Sequence, residues 1–129
     1  MLVLLIPAVH SADDQPKTYA VALPAGYAYE RTGTIDSERG RFVSQATGSI
    51  ISADIGKMAG LTITDSQDKE HLSDVLLIKI SGKVFPQTVT ASVIKARLTN
   101  CGHFDMTARS EQDIQDFMQL VTSFRFKGE

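Results

Sequence analysis

SEQDIQDFMQLVTSFRF, the stretch from Ser110 to Phe126, decides the fold class of this 129-residue chain. Ser110 offers a side-chain oxygen to the free amides of a helix start, with Asp113 three residues on. Glu111 and Asp113 suit the positive end of the helix dipole. Ile114, Phe117, Met118 and Val121 recur at i, i+3, i+4 and i+7, which makes one apolar stripe, and Gln112, Gln115, Asp116 and Gln119 fill the polar positions. The spacing predicts an amphipathic helix over 111–122 that lays its stripe on something apolar. Phe124 and Phe126 then alternate with Arg125 and Lys127, the period of a strand with one wet face.

Upstream of that helix the chain is interrupted at short intervals by Gly, Pro and Asx, which favours many short strands. Tyr19 to Leu23 (YAVAL) reads as a strand stopped by Pro24-Ala25-Gly26, and Tyr27 to Arg31 as a second extended piece. Arg41 to Ser44 and Ser49 to Ile55 form an expected hairpin across Gln45 to Gly48, since Ile51, Ala53 and Ile55 alternate with Ser52 and Asp54. Leu61 to Thr64 is β-rich, and Ser66 to Leu72 is polar enough for one other short helix. Val75 to Ile80 (VLLIKI), nearly continuous in apolar residues, reads as a central strand. Thr88 to Leu98 fits strand or helix. Its β-branched residues favour a strand, with a bulge near Ser92-Val93 where the apolar parity switches. Asn100-Cys101-Gly102 is expected to turn the chain, with Gly102 at positive φ, and His103 to Arg109 to return as a strand. The fold class is therefore α+β, an antiparallel sheet with the C-terminal helix packed on it.

Hydrophobic residues make up 43% and charged residues 22% of the chain, a globular balance. Thirteen Lys+Arg against fifteen Asp+Glu give a net charge of −2, which argues against a dedicated nucleic-acid binder. One Cys excludes an internal disulfide framework, and no apolar run approaches the roughly 20 residues of a membrane-spanning helix. Met1 to Val9 is apolar, His10-Ser11-Ala12 follows with small residues, and Asp13-Asp14 come next. Although no basic residue precedes the run, that order suits a secretory signal and its cleavage site. Residues 1–12 are thus expected to be a signal-like segment, 13–18 a linker, and 19–129 a single domain, periplasmic or secreted.

Two stretches resemble a known group. Tyr19 to Tyr27 (YAVALPAGY) is similar to the strand, Leu-Pro, small residue, Gly, aromatic opening of PsbP-like and Mog1-like domains. The turn around Asn100-Cys101-Gly102, the acidic helix start and Ser123-Phe124-Arg125-Phe126 resemble their ending. The matching pieces leave out Gly33 to Asp74. The resemblance implies an antiparallel sheet flanked by helices, in a domain that binds or assists other proteins, and it transfers no functional residue.

Among residues able to do chemistry, Cys101, His103 and Asp105 stand out, since alternate strand positions share a face at roughly 6.5–7 Å intervals. A thiolate beside an imidazole suits a nucleophile or a soft metal ligand. The plainer reading is a hairpin tip with a partly buried thiol, and neither His10 nor His71 has a spacing that completes a zinc site. Glu30, Asp36, Glu38 and Asp54 offer carboxylates without a pairing, and read as solvated charges. Gly56 to Gly60 lacks the pattern of a phosphate loop, and Thr32-Gly33-Thr34 and Gly48-Ser49 have no partnering His. Met58, Met106 and Met118 read as core filler. Tyr27, Tyr29 and Arg31 share one strand parity, and with Tyr19 nearby they are the candidate binding surface, although packing into the core is the plainer outcome for such rings. No catalytic set, metal or cofactor is assigned. The expected role is an exported, non-enzymatic domain that binds or supports another protein. The alternatives are a small-ligand carrier and a thiol- or metal-dependent enzyme using Cys101 and His103.

Overall fold

The computed structural model describes residues 15–33, 37–56, 75–95 and 100–127. The signal-like segment 1–12, Asp36, the strand expected at 61–64 and the helix expected at 66–72 lie outside the described residues. Eight strands are described: β1 (Tyr19–Ala20), β2 (Tyr27–Gly33), β3 (Glu38–Ser44), β4 (Ile50–Gly56), β5 (Val75–Ser81), β6 (Gln87–Lys95), β7 (Asn100–Ala108) and β8 (Arg125–Phe126). One helix, α1 (Glu111–Thr122), lies between β7 and β8. β1 and β8 pair as a short antiparallel ribbon, and the other six form an antiparallel sheet in the order β2-β3-β4-β7-β6-β5.

Alternation along each strand divides the sheet into two faces. Tyr27 and Tyr29, Phe42, Ile51, Ala53 and Ile55, Val89, Ala91 and Val93, and Phe104, Met106 and Ala108 are all buried on the inner face. Register shows how they fit: Phe104 pairs with Ala53 on one side and Ala91 on the other. A large ring is thus flanked by two small residues, an arrangement that fills the layer without strain. Gly40 works the same way, because a Cβ there would stand 2.4 Å from the Tyr29 ring and hydroxyl. Phe117, Leu120 and Val121 of α1 belong to the same buried cluster, together with Tyr19, Phe124 and Phe126, and Ile114 packs against it. Ser110 caps the helix, accepting a hydrogen bond from the Asp113 amide.

Three sequence expectations are corrected. Among the described strands, Val75–Ser81 stands at the end of the order and not at its centre. An unbroken apolar run suits a strand buried on both faces, but here Leu76, Leu77 and Ile80 are left exposed. β6 has no bulge: it pairs in continuous register with both neighbours, so that Val89, Ala91 and Val93 all point inward and Ile94 stays on the other face. Asn100-Cys101-Gly102 opens β7 and is not a turn. Gly102 sits between Ile55 and Val93, and its glycine answers a close approach, since a Cβ would meet Ile55 Cδ1 at 2.6 Å.

Candidate functional site

Cys101, His103 and Asp105 do share a face of β7, the face turned away from the core. His103 Nε2 stands 3.6 Å from Asp105 Oδ2, and its cross-strand neighbours are Asp54 and Ser92. The Cys101 thiol is buried and donates to the Gly56 carbonyl oxygen at 3.4 Å. Among the described residues no three metal-ligating side chains are grouped as a metal ion would need.

Tyr27, Tyr29 and Arg31 also share a face, and it is the inner one. Tyr27 and Tyr29 are core side chains, 8% and 2% exposed, so neither ring lies on an open surface. Burial, with Asp116 and Asp113 nearby, pushes the Tyr27 hydroxyl up to about 12. Tyr29 packs its ring on Phe42 at 4.9 Å and donates its hydroxyl to Glu38 at 2.7 Å. Its hydroxyl is raised well above the ordinary tyrosine value by burial and by the bond to Glu38.

Glu38 is the node that the sequence reading missed. Read as a solvated charge, it is 4% exposed. Its carboxylate accepts from the Lys17 amide at 3.0 Å, the Thr18 amide at 2.9 Å and the Thr18 hydroxyl at 2.8 Å, besides Tyr29. The Arg31 guanidinium adds an ion pair at 3.3 Å. Burial alone would push this carboxyl up, but the hydrogen bonds from Tyr29, Thr18 and Lys17 outweigh it and hold the group below its ordinary value. Lys17, Thr18, Arg31, Ser37, Glu38, Ile55 and Gly56 line an open cleft of about 440 Å³ at this end of the sheet. The other carboxylates are engaged separately: Glu30 by Arg41 at 3.0 Å, and Asp54 by the Ser37 hydroxyl and, at 3.9 Å, by Arg39.

Asp113, expected only to answer the helix dipole, is a second buried node. It accepts from the Ser49 hydroxyl at 2.8 Å and the Arg109 amide at 2.9 Å. Ser49 is thereby committed to holding the helix start against the β3–β4 turn, where Gly48 takes a φ of 74°.

The feature with most bearing on function is the β5 edge. Of the large apolar side chains exposed among the described residues, only Ile50 lies elsewhere. Leu76, Leu77, Ile80, Val84 and Phe85 fall within ten residues of chain, with Leu77 65% and Val84 76% exposed. Among the described residues, no strand pairs with the free edge of β5. An apolar strand edge of this kind is a template for another chain, and natural sheets usually blunt it. The chain matches no family model, no curated protein and no solved structure.

Proposed function

We propose that this chain is an exported, non-enzymatic accessory domain that binds another protein through the β5 edge and the β5–β6 loop. The observation that carries this reading is the concentration of exposed apolar side chains at Leu76, Leu77, Ile80, Val84 and Phe85 beside a strand edge that no strand pairs among the described residues. Main-chain pairing would supply affinity, and the apolar side chains on either face would supply selectivity. The buried stripe of α1 supports a helix laid over the inner face, which leaves the β5 end of that face as the part open to a partner. The likeness of the chain ends to PsbP-like and Mog1-like domains is in keeping with an accessory role.

A photo-crosslinking residue placed at Val84, in extract of the source cells, tests the reading against one placed at Thr107 on the outer face. A product formed from Val84 and lost in a folded Leu77→Glu/Phe85→Ser variant supports it. Equal products from Val84 and Thr107, or no effect of the variant, refute it. The cleft beside Glu38 favours a second reading, a carrier of small polar molecules. A metabolite that raises the melting temperature of the wild type but not of Arg31→Ala would support that alternative.

A further inference from the structure

We infer that the segment from Gln15 to Thr18 is an acid-released strap, latched to the sheet by the Glu38 carboxylate and let go when that carboxylate takes up a proton. The latch is independent of the β5 edge. The segment belongs to no strand, and its backbone is held mainly by side chains. The Lys17 amide donates to both Glu38 oxygens at 3.0 Å, and the Thr18 amide donates to Oε1 at 2.9 Å. Arg31 Nη2 donates to the Gln15 carbonyl oxygen at 2.5 Å, and Lys127 Nζ to the Pro16 carbonyl oxygen at 3.2 Å. The Lys127 amide adds one backbone bond, to the Thr18 carbonyl oxygen at 3.0 Å. Beyond the strap, Tyr19 is fully buried against Tyr29, Phe104 and Phe124, so release stops there.

Both strap amides thus depend on one carboxylate. A protonated carboxyl is itself a donor, so it can no longer accept from every group that converges on it. Lys17 and Thr18 are exposed, and their amides can exchange Glu38 for water. The buried Tyr29 hydroxyl is better placed to turn and accept the new proton. Among the described residues, the titratable and charged groups around Glu38 are Lys17 of the strap, Tyr19 of β1, Tyr29 and Arg31 of β2, and Asp54 of β4 behind the Ser37 hydroxyl. Lys127, past β8, faces the strap. Burial raises both phenols, which stay neutral, and Asp54 bonds Ser37 and Arg39, neither of them in the strap. Burial also works to raise the Glu38 carboxyl, but the bonds from Tyr29, Thr18 and Lys17 lower it by more. The latch is therefore closed above the ordinary carboxyl value and opens as pH falls through the lower, folded one. Lys17 and Thr18 also line the cleft, so opening the latch takes away that wall. The cleft is whole at neutral pH and dismantled in acid.

Amide exchange on the full chain, followed by NMR and expressed as protection at each pH, tests the latch between about pH 6 and about pH 3. The Lys17 and Thr18 amides are expected to lose at least about tenfold in protection as pH falls, while β4 and β7 keep theirs. In Glu38→Gln, which has no proton to take up in this range, the protection of those two amides should not change with pH. Protection of Lys17 and Thr18 that persists in acid, or is lost only together with that of β4 and β7, overturns the inference. So does an acid step that survives in Glu38→Gln. The wild-type series decides by itself should the variant not fold.

Discussion

Replacing Glu38 by alanine removes the acceptor on which five donors converge: the amides of Lys17 and Thr18, the Thr18 and Tyr29 hydroxyls, and the Arg31 guanidinium. Lys17 and Thr18 are exposed and can turn to water, but the Tyr29 ring is 2% exposed and its hydroxyl has little access to any. Stranding a buried donor costs about 1–3 kcal/mol, and a bond to a charged group contributes about 1.5–3 kcal/mol. The Arg31 guanidinium is part-buried and keeps the Gln15 carbonyl oxygen as an acceptor, so its share of the loss is the smaller one. Urea unfolding followed by circular dichroism should therefore show Glu38→Ala destabilised by about 3–5 kcal/mol, a large part of the 5–15 kcal/mol that holds a typical domain. Glu38→Gln keeps the shape but loses the charge, and should cost about 2 kcal/mol. The acid limb gives a separate check. A carboxyl held below its ordinary value when folded contributes stability above the unfolded value, about 4.3, and loses it as pH falls through the folded value. The wild type should lose stability across that window, and Glu38→Gln should lose less. A cost below about 1 kcal/mol for Glu38→Ala, or identical acid limbs, would refute the node.

Three further outcomes follow from the packing. Gly40→Ala puts a Cβ 2.4 Å from the Tyr29 ring, and thermal and urea unfolding should show a loss of about 1–3 kcal/mol. Asp113→Ala leaves the Ser49 hydroxyl and the Arg109 amide without their acceptor, so it should destabilise by about 2–3 kcal/mol, and amide exchange should quicken first in the opening turn of α1. Cys101→Ala removes one thiol contact to Gly56 and should leave the Val84 crosslink at wild-type yield; loss of that crosslink in a folded variant would mean that the β7 outer face takes part.

The C-terminal helix was legible because its cap, acidic start and apolar period all point the same way. Ser110 caps it, and Phe117 and Val121 are buried. The hairpin of β3 and β4 was legible for the same reason, since Ile51, Ala53 and Ile55 alternate cleanly. Local periodicity does not report strand order, however. VLLIKI has the composition of a central strand, and only its pairing with β6 alone among the described residues places it at the edge. Glu38 and Asp113 were hidden because a carboxylate in sequence looks solvated. Their burial depends on partners 20 or 64 residues away, Thr18 in one case and Ser49 in the other. Gly102 was misread because glycine serves turns and close approaches equally well, and only the Ile55 side chain across the sheet decides between them.

Amide hydrogen exchange on the dilute full chain, resolved by residue, tests most directly whether the β5 edge, unpaired among the described residues, is open. The central strands β4 and β7 should be protected throughout. In β5 only the amides turned toward β6 should be protected, and those on the free side should exchange near the rate of unstructured chain. Uniform slow exchange along Val75–Ser81 at the lowest concentration would mean that the edge is already covered, and the docking surface would not exist.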